Sequence, residues 1–323
     1  MFNIIVKKYG DPDTLLFEKG DIEKLNQDSV RINVKSIGVN YADILLIKGK
    51  YQERPRPPFS PGLEISGIVS ETGSLAKTFK VGDRVMSIMK YGGYKTEVVI
   101  PQENTYFIPE GMDFIEAGGF PVVYGTAFSA LVTKAKIKKN EVCVILGATG
   151  GVGMAAIEIA KAYHATVIAC GGSEEKLKKC IKKGADYALN YNNQIIRKEL
   201  KKIGVSEVDV VIDMVGGQSS VDLTKSLKWN GRIIIVGFTS GTIPEIPSNR
   251  LLLKNASAEG LYWGELAYRS PDQIGQDFKV LGKLFKDKKI LPTVNKVFDL
   301  KEASKALTYL STRNNTGKIV LKC

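Results

Sequence analysis

The run Val142-Cys143-Val144-Ile145-Leu146-Gly147-Ala148-Thr149-Gly150-Gly151-Val152-Gly153 constrains the fold more than any other stretch of this chain. An apolar segment stops at a glycine-rich turn, and a helical pattern of apolar residues follows over 154–163. Gly147, Gly150 and Gly153 stand in the G-x-x-G-x-x-G spacing of a dinucleotide fingerprint. A tight turn needs residues without Cβ, and a pyrophosphate needs close backbone approach. The N-terminus of the following helix supplies unpaired N–H groups and the positive end of its dipole. Gly150, Gly151 and Val152 are the candidate pyrophosphate contacts. A glycine triplet alone is common, so its surroundings decide.

Those surroundings alternate strand and helix. Residues 165–170 read as a second strand, 174–183 as a helix stopped by Gly184, and 187–191 as a third strand. Residues 208–215 read as a fourth strand, ending at Gly216-Gly217, and 231–237 as a fifth. Continuous apolar, β-branched runs separated by helices imply a parallel sheet covered on both faces. The glycine turn then sits after a strand, before a helix and inside a βαβ unit, which makes it a cofactor site. The first 120 residues read differently: short strands, many glycines and prolines, few helical patterns. From about Leu291 the chain reads strand, helix (301–310), strand (318–321) and is expected to pack with the first domain. No internal repeat or low-complexity segment interrupts the chain.

The cofactor is expected to be NADPH. NAD-binding units place an Asp or Glu about 20 residues after the first glycine, at the end of the second strand, to bind the ribose 2′-hydroxyl. Here that strand ends Cys170-Gly171-Gly172-Ser173, and Lys176 follows. A hydroxyl and a cation suit a 2′-phosphate. Ser173 can equally cap the helix beginning at Glu174, and the two roles can coexist. Glu174 and Glu175 count against the assignment, because they bring negative charge nearby.

The bulk numbers exclude some classes. The chain has 323 residues, with 46 Lys and Arg against 34 Asp and Glu, a net charge of +12. Many lysines, such as Lys178, Lys179, Lys182 and Lys183, fall at helical spacing and read as solvated faces; attraction of an anionic cofactor is the next reading, nucleic-acid binding the last. No segment approaches the roughly 20 apolar residues of a membrane span. The N-terminus reads as a strand rather than a signal peptide, so the expected compartment is the cytoplasm. Cys143, Cys170, Cys180 and Cys323 form no C-x-x-C pair and are expected to be inert, and His164 is expected in a surface turn.

Several short motifs, in order, carry a family resemblance. They are Gly38-Val39-Asn40-Tyr41-Ala42-Asp43, Gly49-Lys50-Tyr51, Pro61-Gly62-Leu63-Glu64-Ile65-Ser66-Gly67 and Gly82-Asp83-Arg84-Val85. Then come Tyr124-Gly125-Thr126-Ala127, the glycine turn, Gly237-Phe238, Leu261-Tyr262-Trp263-Gly264 and Asn315-Thr316-Gly317-Lys318. Nearly end to end, the chain resembles the zinc-independent quinone oxidoreductase (zeta-crystallin-like) branch of the medium-chain dehydrogenase/reductase superfamily. The resemblance implies an α/β protein in two parts. A GroES-like β-rich catalytic domain spans 1–123 and is completed by 258–323, and a doubly wound parallel-sheet Rossmann domain binds NADPH over 124–257. It also implies an active site in the cleft between the domains and assembly as a homodimer or homotetramer.

The zinc relatives carry a Cys near Asn40 or Tyr41, a Gly-His-Glu motif and a four-Cys loop. This chain has Gly62-Leu63-Glu64, its first cysteine is Cys143, and the loop is missing. Zinc needs three or four N, S or O ligands at fixed distances, and no metal is expected. Without a Lewis acid to lower an alcohol's pKa, the expected reaction is hydride transfer to a quinone or an α,β-unsaturated carbonyl. Tyr51 is the preferred donor to the developing oxyanion, and its alternative role is a wall of the substrate pocket.

By the same resemblance Asn40, a catalytic candidate beside Tyr51, and Thr126 border the nicotinamide, and Asp43 orients local hydrogen bonds; the alternative roles are a turn residue for Asn40 and a helix-surface residue for Asp43. The backbone around Tyr262 and Trp263 holds the carboxamide, Tyr191 lies by the adenosine phosphate, and Asn315 and Lys318 close the cofactor cleft. Val215, Gly237 and Phe238 stand at the carboxyl ends of strands, where ligands gather in doubly wound sheets. Two alternatives stay open: an enoyl-thioester reductase, and an NADPH-sensing or RNA-binding protein with little catalysis.

Overall fold

The structure is a computed structural model that describes residues 1–192, 195–312 and 315–323. It divides into two units. One comprises Met1–Val123, Gly264–Lys286 and Pro292–Cys323; the other comprises Tyr124–Trp263 and Asp287–Leu291. Among the described residues no helix is long and apolar enough to cross a membrane.

The second unit holds six parallel strands: Val142–Leu146, Thr166–Gly171, Tyr187–Asn190, Val208–Asp213, Leu227–Ile235 and Ser257–Gly260. Their spatial order is third, second, first, fourth, fifth, sixth, with every neighbouring pair parallel. This is the doubly wound order, and its switch point lies between the first and fourth strands. The apolar runs are buried as two-sided strands must be: Cys143 to Leu146, Val167 to Cys170 and Val210 to Ile212 are all 0% exposed. Each such Val, Leu or Ile contributes roughly 1.5–3 kcal/mol through burial.

The sixth strand corrects the domain boundary. Residues 258–263, assigned above to the first domain, lie in the second unit, because Ser257–Gly260 pairs with Leu227–Ile235 in the register Arg232↔Ser257 to Ile235↔Gly260. The sequence Ser-Ala-Glu-Gly has no apolar run to announce a strand. As an edge strand it is not enclosed on both sides, so none is required.

The first unit is built on a sheet in the order Val294–Asp299, Lys318–Lys322, Ser29–Val39, Glu64–Thr72, Arg84–Ile88, Thr105–Phe107. Ser29–Val39 is its organising strand. Glu64–Thr72 pairs along one side. On the other, Glu97–Pro101 pairs with the first half and Lys318–Lys322 with the last. The last strand of the chain therefore completes the first unit. Ile319 opposes Val39, and Ile37 opposes Ile65. Asn40, Lys318 and Glu64 consequently stand at one end of three adjacent strands.

Candidate functional site

The glycine turn shows a separate physical need at each glycine. Gly147 has φ +80°, a backbone conformation that favours glycine. Its N–H and that of Ala148 donate to the Cys170 carbonyl at 3.1 and 3.0 Å, tying the turn to the second strand. A Cβ on Gly153 would lie 2.4 Å from the Gly147 oxygen and 2.5 Å from the Ala148 Cα, so only glycine lets the helix Gly151–Ala162 start against the turn. A Cβ on Gly150 would meet only the Gly147 oxygen, at 3.5 Å, leaving open space there. The N–H groups of Gly151, Val152 and Gly153 head the helix without an intrahelical acceptor. Backbone donors, a helix dipole and a cleared approach together fit a dinucleotide pyrophosphate.

At the end of the second strand, a Cβ on Gly171 would come 2.8 Å from Thr149 Cγ2. A larger side chain there would press on Thr149 and Leu177. Ser173 is the N-cap residue of helix Glu174–Lys182, but its side chain makes no capping bond. Glu174 stays beside this corner: its Oε1 accepts at 2.9 Å from Nδ2 of Asn190, the residue paired with Gly171, so its negative charge counts against a 2′-phosphate there. Lys176 is half-buried, and burial, with Lys179 nearby, holds its ammonium below the usual lysine range. Tyr191 is half-buried, its N–H bonded to the Gly171 carbonyl at 3.1 Å. Ser173 and the backbone of Tyr191 thus stand at the end of one strand, with Lys176 in the first turn of the helix that follows.

The switch point carries a residue that the motifs do not reveal. Asp213, fully buried at the end of the fourth strand, accepts from the N–H groups of Val215 and Gly216, both at 2.9 Å, and from the Ser220 hydroxyl. The Asp213 carbonyl also accepts from Val236 and Gly237. One side chain therefore shapes the turn holding Val215 and, with its backbone, pins the turn holding Gly237. Its sequence signal is an Asp closing an apolar strand three residues before Gly216-Gly217. Phe238 is 41% exposed, Tyr262 is 40% exposed and Thr126 is buried. Trp263 is buried against Gly125, where a Cβ would come 2.3 Å from the indole.

In the first unit Asn40 is the hub of a buried polar network. Its N–H donates to Asp43 Oδ2 at 2.8 Å, closing the first turn of helix Tyr41–Ile47. Its Nδ2 donates to Glu64 Oε1 at 2.9 Å, and its Oδ1 accepts from Lys318 Nζ at 2.6 Å. Lys318 also pairs with Glu64 Oε1 at 2.6 Å, and Glu64 Oε2 accepts from the Val122 N–H at 2.7 Å. Tyr94 donates its hydroxyl to Asp43 Oδ2 at 3.0 Å. Burial pushes the Asp43 carboxyl up to about 7, against the lowering effects of the Asn40 N–H, Lys318 and Tyr94. Lys318, expected beside the cofactor, thus has its ammonium engaged by Asn40 and Glu64. Asn315 is buried; it donates to the Gly317 carbonyl at 2.8 Å and accepts from Asn295 at 3.2 Å.

Tyr51 sits half-buried on a loop, packed against the core of this unit. Three anchors hold that loop. Tyr9 donates to the Pro55 carbonyl at 2.9 Å, Arg54 to the Tyr51 carbonyl at 3.3 Å, and Lys90 pairs with Glu53 at 3.0 Å. Glu265 holds the other side of Lys90 at 3.1 Å.

Comparison with known proteins shows what the chain as a whole is similar to. Residues 26–110 match the family described as "Alcohol dehydrogenase GroES-like domain", and residues 151–279 the family described as "Zinc-binding dehydrogenase". The chain is 38% identical over 309 residues to "Quinone oxidoreductase-like protein 2" of Bos taurus, covering 95% of this chain and 88% of that protein. It is 31% identical over 325 residues to "Quinone oxidoreductase" of Sus scrofa, covering 99% and 97%. Among solved structures, the Escherichia coli quinone oxidoreductase complexed with NADPH matches with a TM-score of 0.92 at 26% identity over 100% of both chains.

Proposed function

The chain belongs to the quinone oxidoreductase branch of the medium-chain dehydrogenase/reductase superfamily, and from that premise we propose that it is an NADPH-dependent, zinc-independent reductase of quinones and α,β-unsaturated carbonyls. The observation that carries the choice of NADPH is the end of the second strand. Gly171, Gly172 and Ser173 supply no carboxylate there, and Ser173 with Lys176 offers a hydroxyl and a cation for a 2′-phosphate, against the nearby charge of Glu174. The Escherichia coli relative, solved with NADPH, supports the same reading.

The donor set does not fit zinc. Glu64 spends both oxygens, on Asn40 and Lys318 and on the Val122 N–H, and an ammonium already stands against it. Burial pushes the Cys143 and Cys170 thiols far above their ordinary values, away from the thiolate a metal needs. His164 lies exposed in a turn at φ +60°. Among the described residues no group of three His, Cys, Asp or Glu side chains is placed to hold a metal ion.

In this reading the reduced nicotinamide supplies a hydride to an electrophilic acceptor. The Gly147–Gly153 turn binds the pyrophosphate through backbone N–H groups, and Asn40 and Thr126 border the ring. Tyr51 donates to the acceptor oxygen as negative charge develops on it, a role worth about 10²–10⁴ in rate for a general acid. The edge strand Ser257–Gly260 offers a surface for assembly of copies into a dimer or tetramer.

The test is NADPH oxidation across quinones, enones and enoyl-thioesters, with Tyr51→Phe beside the wild type. Turnover of quinones and enones is the expected result, with a larger loss on the enone in the variant, because a quinone needs less acid assistance. Turnover confined to enoyl-thioesters would replace the substrate assignment. A change below about threefold on every acceptor would reduce Tyr51 to a pocket wall.

A further inference from the structure

The buried pair Lys318–Glu64 calls for an explanation, because such pairs are poor sources of stability. Desolvating two charges costs several kcal/mol each, and an apolar pair of similar volume often serves as well or better. The fold also keeps space for both charges. A Cβ on Gly38 would lie 2.1 Å from Glu64 Oε1, and a Cβ on Gly119 would lie 2.7 Å from Lys318 Cγ.

What the pair accomplishes is visible at Asn40. An ammonium is only a donor and a carboxylate only an acceptor. With Lys318 on one side of the amide and Glu64 on the other, a single orientation satisfies both: Oδ1 toward Lys318, Nδ2 toward Glu64. The reverse would set two acceptors against each other at Glu64 and two donors at Lys318. Nδ2 also lies 3.5 Å from the Gly38 carbonyl, a long and weak contact. Nδ2 thus faces acceptors of its own unit. Oδ1 keeps its second lone pair, and among the described residues no second donor reaches it.

We propose that Lys318 and Glu64 are positioning residues that lock Asn40 as a hydrogen-bond acceptor, so that its partner must be a donor such as the carboxamide NH₂ of the nicotinamide, the carboxamide oxygen being left to the backbone around Tyr262 and Trp263. The proposal rests on the reading that Asn40 borders the nicotinamide. It removes Asn40 from the donors available to a substrate oxyanion and leaves that role to Tyr51. It also makes cofactor orientation depend on the last strand of the chain, since Lys318 reaches Asn40 from 278 positions away.

The experiment compares NADPH with its reduced 3-acetylpyridine analogue, whose acetyl group has a carbonyl but no N–H donor. The full-length wild type, Asn40→Ala and the double variant Lys318→Met/Glu64→Gln are each titrated with both cofactors by fluorescence and assayed with a quinone. The informative quantity is the ratio of the two cofactors within each protein, which a partly folded sample does not distort.

We expect the wild type to favour NADPH by roughly fivefold, one neutral hydrogen bond, and both variants to lose most of that preference. Combining all three substitutions should erase no more than Asn40→Ala alone, because the pair acts through Asn40. A double variant that keeps the wild-type ratio overturns the proposal and leaves the pair a packing feature. A wild type that does not distinguish the two cofactors overturns it equally. If the double variant does not accumulate, Lys318→Arg, which keeps the charge and moves the donor, is read by the same ratio. A wild type that binds NADPH with the expected preference yet reduces no acceptor would overturn the reductase reading and leave the positioning of Asn40 standing.

Discussion

The ammonium of Lys318 lies 2.6 Å from the carboxylate of Glu64, with 7% and 0% of the two side chains exposed. Removing one member leaves the other charged, buried and unpaired. Lys318→Met should therefore cost about 3–5 kcal/mol of stability, and adding Glu64→Gln should recover most of it. Urea unfolding of the single and double variants measures both steps. A single variant within about 1 kcal/mol of wild type would mean that water reaches Glu64 when Lys318 is absent.

Asp43 gives the same network a pH signature. Its carboxyl is pushed from an ordinary 3.8 to about 7, chiefly by burial. An acid with a higher pKa in the folded state holds its proton more firmly there. Between about pH 4 and pH 7 the unfolded chain has released this proton while the folded chain keeps it. Stability should fall as pH rises through that window and level off above it. Asp43→Asn cannot ionise, so its loss of stability from pH 5 to pH 8 should be smaller than that of wild type by about 2 kcal/mol. Equal slopes in the two proteins would show that Asp43 is ionised throughout.

Lys176 tests the cofactor assignment alone. A charged hydrogen bond to a 2′-phosphate is worth about 1.5–3 kcal/mol. Lys176→Ala should weaken NADPH binding by roughly tenfold or more and leave NADH nearly unchanged, as measured by fluorescence titration. Equal loss for both cofactors would remove the 2′-phosphate from this corner.

The second unit is largely legible in the sequence, and the first unit's network is not. Strands buried on both faces leave long runs such as Val142 to Leu146, and the glycine spacing then places the turn between strand and helix. Ser257–Gly260 leaves no such trace, because an edge strand needs no continuous apolar run. Asn40, Glu64 and Lys318 each stand in a short motif, but their contacts arise from the pairing of three strands distant in the chain. Spacing along the sequence carries no record of that meeting. The motif around Lys318 accordingly points toward the cofactor, whereas the folded side chain turns to Glu64. Asp213 escapes the motifs because it acts on backbone N–H groups of its own turn, and its signal is one acidic residue closing an apolar strand.

The glycine turn allows fold and binding to be separated by two substitutions three residues apart. At Gly153 a methyl group would press into the backbone at 2.4 Å from the Gly147 oxygen and 2.5 Å from the Ala148 Cα. Neither atom belongs to a flexible side chain, so the helix Gly151–Ala162 must shift from the turn. Gly153→Ala should lower the melting temperature by several degrees and abolish measurable NADPH binding; overpacking of this kind costs about 1–3 kcal/mol. At Gly150 the added methyl meets only the Gly147 oxygen, at an ordinary 3.5 Å, and φ is −82°, which alanine adopts freely. Gly150→Ala should therefore melt within about a degree or two of wild type. Its methyl would nonetheless occupy the space through which a pyrophosphate approaches the helix N-terminus, so NADPH affinity should fall by about tenfold or more. Thermal melts and fluorescence titration of the two variants give four measurements. A Gly150→Ala protein that melts normally and binds NADPH normally would move the pyrophosphate off this turn.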